Sequence, residues 1–283
     1  MGRKTGGKKG LTENQLRAVL EHRVSYEAEQ ISAVLPYADE VVESSYDYAP
    51  EYRVRIVAEQ VERLAVEFPN LDFSHVEELA SGKLPEGAEG WGVIPKQSKV
   101  AKSCHGAMDK AIDLLSAQHG KKFKNWRVGA LTEKYLRLLE KTEKTLAKLE
   151  AETPGDYLVI PFQFGKKWRG KSVRHAQARF AEDEFGLGPY EVAILLLTHP
   201  DRITGSNQLN IDCGGCEYRT DVSESAFPFC LDFSWYYDCK RMVLNRFGAD
   251  YAFELWGSAS GFASLCLYFR AKALNKQSFC DII

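Results

Sequence analysis

The run LVIPFQFGKKWRGKS, residues 158–172, holds the side chains of this chain best spaced for chemistry. Gly165, Gly170, Lys171 and Ser172 fill the fixed places of the phosphate-loop pattern Gly-x4-Gly-Lys-Ser/Thr. In such a loop the backbone N–H groups curl round an anion, the lysine reaches the outer phosphates and the hydroxyl binds Mg²⁺. The flanks agree, with an extended apolar run before the loop and a helix expected over 172–185. The interior argues the other way. Its variable places are the bulky, charged KKWR, and Pro161 cannot donate to the ladder of a central parallel strand. Three readings compete: a Mg-nucleotide site in a phosphotransferase or NTPase, a structural turn with glycines at positive φ, or a basic turn that touches nucleic-acid phosphates.

Thiols form the second constellation. Cys213-x2-Cys216 is one close pair, and Cys230 and Cys239 come after it at wider spacing, so the four supply half of a zinc motif rather than two knuckles. Zinc is retained as an alternative cofactor, beside a Mg-nucleotide. His199, after an apolar run and near Asp201, is read as a hydrogen-bonded structural residue.

Charge gives the third signal. The net charge of −2 conceals segregation: +4 over residues 1–10, −11 over 11–95, +11 over 96–180 and −6 over 181–283. Within the positive block, KKFKNWR (121–127) and FGKKWRGK (164–171) set cations beside aromatic rings. Cations bind phosphates and rings stack on unpaired bases, which is the composition of a single-strand binding surface. Lys121, Lys122, Lys124, Arg127, Lys166, Lys167, Arg169, Lys171 and Arg174 are the expected phosphate contacts, with Trp126 and Trp168 for stacking. The competing reading pairs the acidic and basic segments with each other, within one chain or between copies in a homo-oligomer.

These residues need elements to hold them. Residues 1–10 read as a disordered basic arm, and Leu11, Thr12, Gln15 and Leu16 as a capped helix start. Pro50 opens a second helix through Val54, Val57, Val61, Leu64 and Phe68, and Ser74 and Glu77 cap a short third one. Residues 11–85 thus form an acidic helical region, and 86–152 a linker with basic helices over 98–118 and 130–151. Residues 153–283 form a mixed α/β domain. Strands are expected at YLVIPFQF, YEVAILLLT, LNIDC, FPFCLDFSWY, YAFELW and FASLCLYF, with a helix over 237–247. The fold class is α+β or α/β, a helical N-terminal region followed by a mixed-sheet C-terminal domain with flanking helices.

No apolar run approaches the roughly 18–20 residues of a membrane-spanning helix, so no membrane partner is expected. Seven cysteines, an odd number, without an apolar leader point to a reducing, cytoplasmic setting. The leading functional expectation is a nucleic-acid-binding protein using a basic, aromatic-interleaved surface over about 96–180. The nucleotide-dependent enzyme and the assembly protein are its alternatives.

Overall fold

The computed structural model describes residues 13, 17, 18, 20 and 36–263. The basic arm, the helix start at Thr12 and the part of FASLCLYF beyond Ala263 lie outside these. The chain divides into two compact units, Met1–Asp39 and Glu40–Ile283. The second unit has an α+β architecture with two sheets and seven α-helices among the described residues.

The four-stranded sheet is antiparallel, in the order β1 (Gly90–Pro95), β4 (Tyr157–Gln163), β11 (Ser260–Phe262), β5 (Glu184–Gly186). β4 is buried along its whole length, as an apolar run without alternation demands. The expected difficulty at Pro161 is resolved by register. β4 pairs with β1 throughout, but its ladder with β11 stops at Phe162↔Gly261, one position before the proline. The seven-stranded sheet is mixed. It runs β10 (Trp256–Ser258), β6 (Asn210–Asp212), β8 (Phe229–Tyr236), β7 (Cys216–Tyr218), β3 (Leu136–Leu138), with β9 (Arg241–Gly248) on β8 and β2 (Phe123–Asn125) on β9. The chain crosses from one sheet to the other at Ala259, between β10 and β11.

Backbones touch where the sheets meet. A Cβ on Gly257 would sit 2.2 Å from the Gly165 oxygen, and one on Gly215 would sit 2.2 Å from the Gly186 oxygen. Only glycine permits both approaches.

Among the helices, α1 (Val57–Glu67), α4 (Cys104–His119) and α7 (Pro189–Thr198) build the core around the first sheet. Against expectation, YEVAILLLT is not a strand but α7, all ten of whose residues are buried. A helix enclosed on every side has no polar face, so its sequence shows no 3.6-residue period and reads like a buried strand. Pro189 at its first position marks the start.

The helix expected over 98–118 is broken into α3 (Gln97–Val100) and α4, with Ser103 capping α4 by accepting from the Gly106 N–H at 3.1 Å. The helix expected over 130–151 begins only at α5 (Glu140–Glu152), because Leu136 and Leu138 alternate in β3. Residues 50–56 are not helical, and α2 (Val76–Leu79) starts at His75 in a left-handed conformation, with Ser74 bonded to Asp72 instead of capping. The helix expected over 172–185 closes after one turn as α6 (Val173–Gln177). The region 237–247 is mainly strand β9 rather than helix, and YAFELW is a loop up to Trp256.

Candidate functional site

The phosphate-loop look-alike leaves β4 and reaches α6 through a short 3₁₀ turn, Lys166–Trp168. Gly165 and Gly170 have φ of 117° and 67°, as a tight strand-to-helix turn requires. Each is also pressed against backbone: a Cβ would lie 2.5 Å from the Gly257 oxygen at Gly165 and 2.3 Å from the Val42 oxygen at Gly170.

The N–H groups that would hold a phosphate are already donated inside the fold. Gln163 Oε1 accepts from Gly165 N at 2.6 Å and from Lys167 N at 3.4 Å, and the Tyr48 hydroxyl accepts from Lys166 N at 3.0 Å. Gly170 N donates to Trp256 O at 2.9 Å, Lys171 N to Trp168 O at 3.2 Å and Ser172 N to Glu40 O at 3.2 Å. The Ser172 hydroxyl donates to Glu40 Oε2 at 2.5 Å and accepts from His175 N at 3.0 Å, which makes it the N-cap of α6. Lys171 is half-buried and opens with Arg169 onto a shallow depression shared with Glu43 and Glu254.

Four of the five cations of this loop are also engaged. Lys166 pairs with Asp47 at 2.7 Å, Lys167 with the fully buried Glu184 at 2.6 Å, and Arg174 with Glu40. Arg169 donates to the Tyr46 carbonyl at 3.2 Å. The Arg174 guanidinium holds the Glu40 carboxyl below its ordinary range despite partial burial. Burial pushes Asp47 up, but the Lys166 hydrogen bond and neighbouring N–H groups outweigh it and leave it lowered. Trp168 is buried, donates to Glu184 Oε1 at 2.8 Å and meets Phe180 edge-on, so its face is not offered to a base. The acidic stretch 40–47 therefore lies along the basic loop within one chain.

The other half of the expected surface stands apart. Lys121 and Lys122 end a 3₁₀ turn, Gly120–Lys122, and β2 continues it as an edge strand bonded only to β9. Phe123 anchors β2 inward, while Lys121, Lys122 and Lys124 point outward and have no ion-pair or hydrogen-bond partner among the described residues. The register Phe123↔Met242 places them beside the turn that joins β8 to β9. That turn carries Tyr236 and Tyr237, 37% and 74% exposed, with Lys240 and Arg241 and a single acid, Asp238. Trp126 meets Tyr236 edge-on, ring centroids 4.5 Å apart. Arg127 turns the other way, its charge acting on the buried Asp232.

The sequence spacing grouped Lys121, Lys122, Lys124 and Trp126 but did not place Tyr236, Tyr237, Lys240 or Arg241 beside them. These join them only through the parallel pairing of β2 with β9, which has no local signature.

The thiols do not converge as four. Cys213 to Cys216 is a tight turn closed by Cys216 N donating to Cys213 O at 3.1 Å, and both side chains are buried. Cys230 is buried beside them, its thiol 3.8 Å from Asp212 Oδ1, but Cys239 lies at the far end of β8, roughly 20 Å away at strand rise. No group of three or more His, Cys, Asp and Glu suited to a metal ion occurs among the described residues. Burial pushes the Cys213 and Cys230 thiols well up.

Next to them Asp212 and Asp232 face each other across β6 and β8, both 2% exposed. Burial raises Asp232 to about 6, and burial with the Asp232 charge raises Asp212 further. His199 caps α7, accepts from Arg55 N at Nε2 (2.9 Å), and is held by burial near 4. It is a structural residue.

Comparison with protein-family models, with curated proteins and with solved structures finds no match to this chain. No helix among the described residues is long and apolar enough to cross a membrane.

Proposed function

We propose that this protein binds single-stranded nucleic acid along the β2 edge and the β8–β9 turn. One observation carries the reading: three exposed lysines with no acidic partner among the described residues, Lys121, Lys122 and Lys124, stand beside the aromatic group Trp126, Tyr236 and Tyr237. The spacing of a 3₁₀ turn and a strand sets successive cations along a backbone, and Tyr237 offers a ring face for an unpaired base. The basic loop 164–174 is not part of this surface, because Lys166, Lys167 and Arg174 bind Asp47, Glu184 and Glu40.

Fluorescence anisotropy with short DNA and RNA strands, each about 12 nucleotides long to match one binding site, tests it. If three phosphates are engaged, log K falls with log salt with a slope of about −2. The triple variant Lys121→Glu, Lys122→Glu, Lys124→Glu abolishes binding, and Tyr237→Ala weakens it by about 1–3 kcal/mol without changing the slope. If wild type shows no salt-dependent binding to either strand, the lysines serve instead to keep an edge strand from pairing with another chain.

A further inference from the structure

A cleft of about 490 Å³ opens elsewhere, between the N-terminus of α4, β3 and the first turn of α7. Met108, Leu136, Leu138 and Tyr190 form the apolar part of its walls. Its volume falls in the range that takes a small organic molecule.

Glu191 lines the cleft and is 1% exposed. Gln97 Nε2 donates to Glu191 Oε1 at 2.8 Å, but Oε2 is buried without a hydrogen-bond partner. The backbone makes room for it, since a Cβ on Gly188 would lie 2.7 Å from Oε2. A buried carboxyl oxygen outside hydrogen-bond geometry costs free energy, which the nearby Gly188 and Glu191 N–H groups offset only in part. Burial also holds the Glu191 carboxyl above its ordinary range.

The surroundings are mainly acidic. Glu133 and Glu143 stand around the cleft, where His105 Nδ1 faces Glu133 at 3.8 Å and Arg137 is paired with Glu217 at 2.6 Å. An anionic ligand would meet three carboxylates, and a neutral apolar one would leave Oε2 as it is.

The geometry points to this cleft as a binding site for a primary amine with an apolar body. The ammonium donates to Glu191 Oε2, the body lies on Met108, Leu136 and Tyr190, and the outer carboxylates favour the cation's approach. An ammonium is the compact donor that a buried carboxylate takes best, because the pair is charge-assisted. The site is independent of the β2 edge, and its test does not involve nucleic acid.

The test uses the full chain with phenethylamine and its neutral isostere 2-phenylethanol, by titration calorimetry and ligand-detected NMR. The expected result is amine binding at least tenfold tighter than the alcohol, with the preference lost in Glu191→Gln and reduced only a few-fold in Glu143→Gln. The wild-type ratio stands on its own should the Glu191 variant misfold. Equal binding of the two probes, binding of neither, or an undiminished preference in a folded Glu191→Gln protein overturns the proposal.

Discussion

At the scale of single residues, the buried acids decide the most. Asp212 and Asp232 are direct cross-strand neighbours, a placement that disfavours two like charges. Asp232, raised from 3.8 to about 6, is protonated in the folded chain where the unfolded chain is ionised. Its contribution to stability is therefore full below about pH 4 and lost as pH rises through 6. His199, depressed to about 4, acts with the opposite sign over nearly the same interval, so the wild-type profile conceals both. Asp232→Asn removes the first contribution together with the upward push that the Asp232 charge exerts on Asp212. In urea unfolding, the variant gains on wild type between pH 4 and pH 8 by ~3 kcal/mol, and a pH-independent difference contradicts the buried pair. The sequence shows FPFCLDFSWY only as a strand, and which strand lies opposite has no local signature, so the Asp212–Asp232 pair was not legible.

At the scale of elements, period was a good guide where one face meets water and failed where none does. The sequence spacing puts Cys104, Met108, Ala111 and Leu115 on one stripe of α4, and the last three are buried while Cys104 is exposed. β4, β6 and β8 are legible from apolar runs instead and are present. α7 defeated the same reasoning because it is enclosed. Its Leu195 is fully buried and reaches the backbone of β1, where a Cβ on Gly92 would come within 2.6 Å of Leu195 Cδ2. Leu195→Ala leaves a cavity between helix and sheet and costs about 2–5 kcal/mol in equilibrium unfolding. Val66→Ala, on the 75% exposed side of α1, changes stability by about 0.5 kcal/mol or less. Similar losses at both positions contradict an enclosed α7.

At the scale of the whole second unit, charge segregation was legible as composition and its destination was not. Glu40 and Asp47 absorb part of the positive surplus through contacts more than a hundred positions away in sequence, and only the folded chain reveals which lysines remain outward. The joining of the two sheets is similarly invisible in sequence, since Gly165 and Gly257 meet across 92 positions. Gly257→Ala pushes a methyl into the Gly165 carbonyl and lowers stability by about 3 kcal/mol or more, read as a depressed melting temperature. A melting temperature equal to that of wild type shows that the two backbones do not meet. The crossing at Ala259 also sets an order of events during biosynthesis. A ribosome that has translated as far as Ser258 has delivered β1, β4 and β5 but not the strand that must be inserted between the last two. Until Phe262 emerges, the nascent polypeptide holds two unfilled sheet edges open, which makes this the stage at which a chaperone has most to shield.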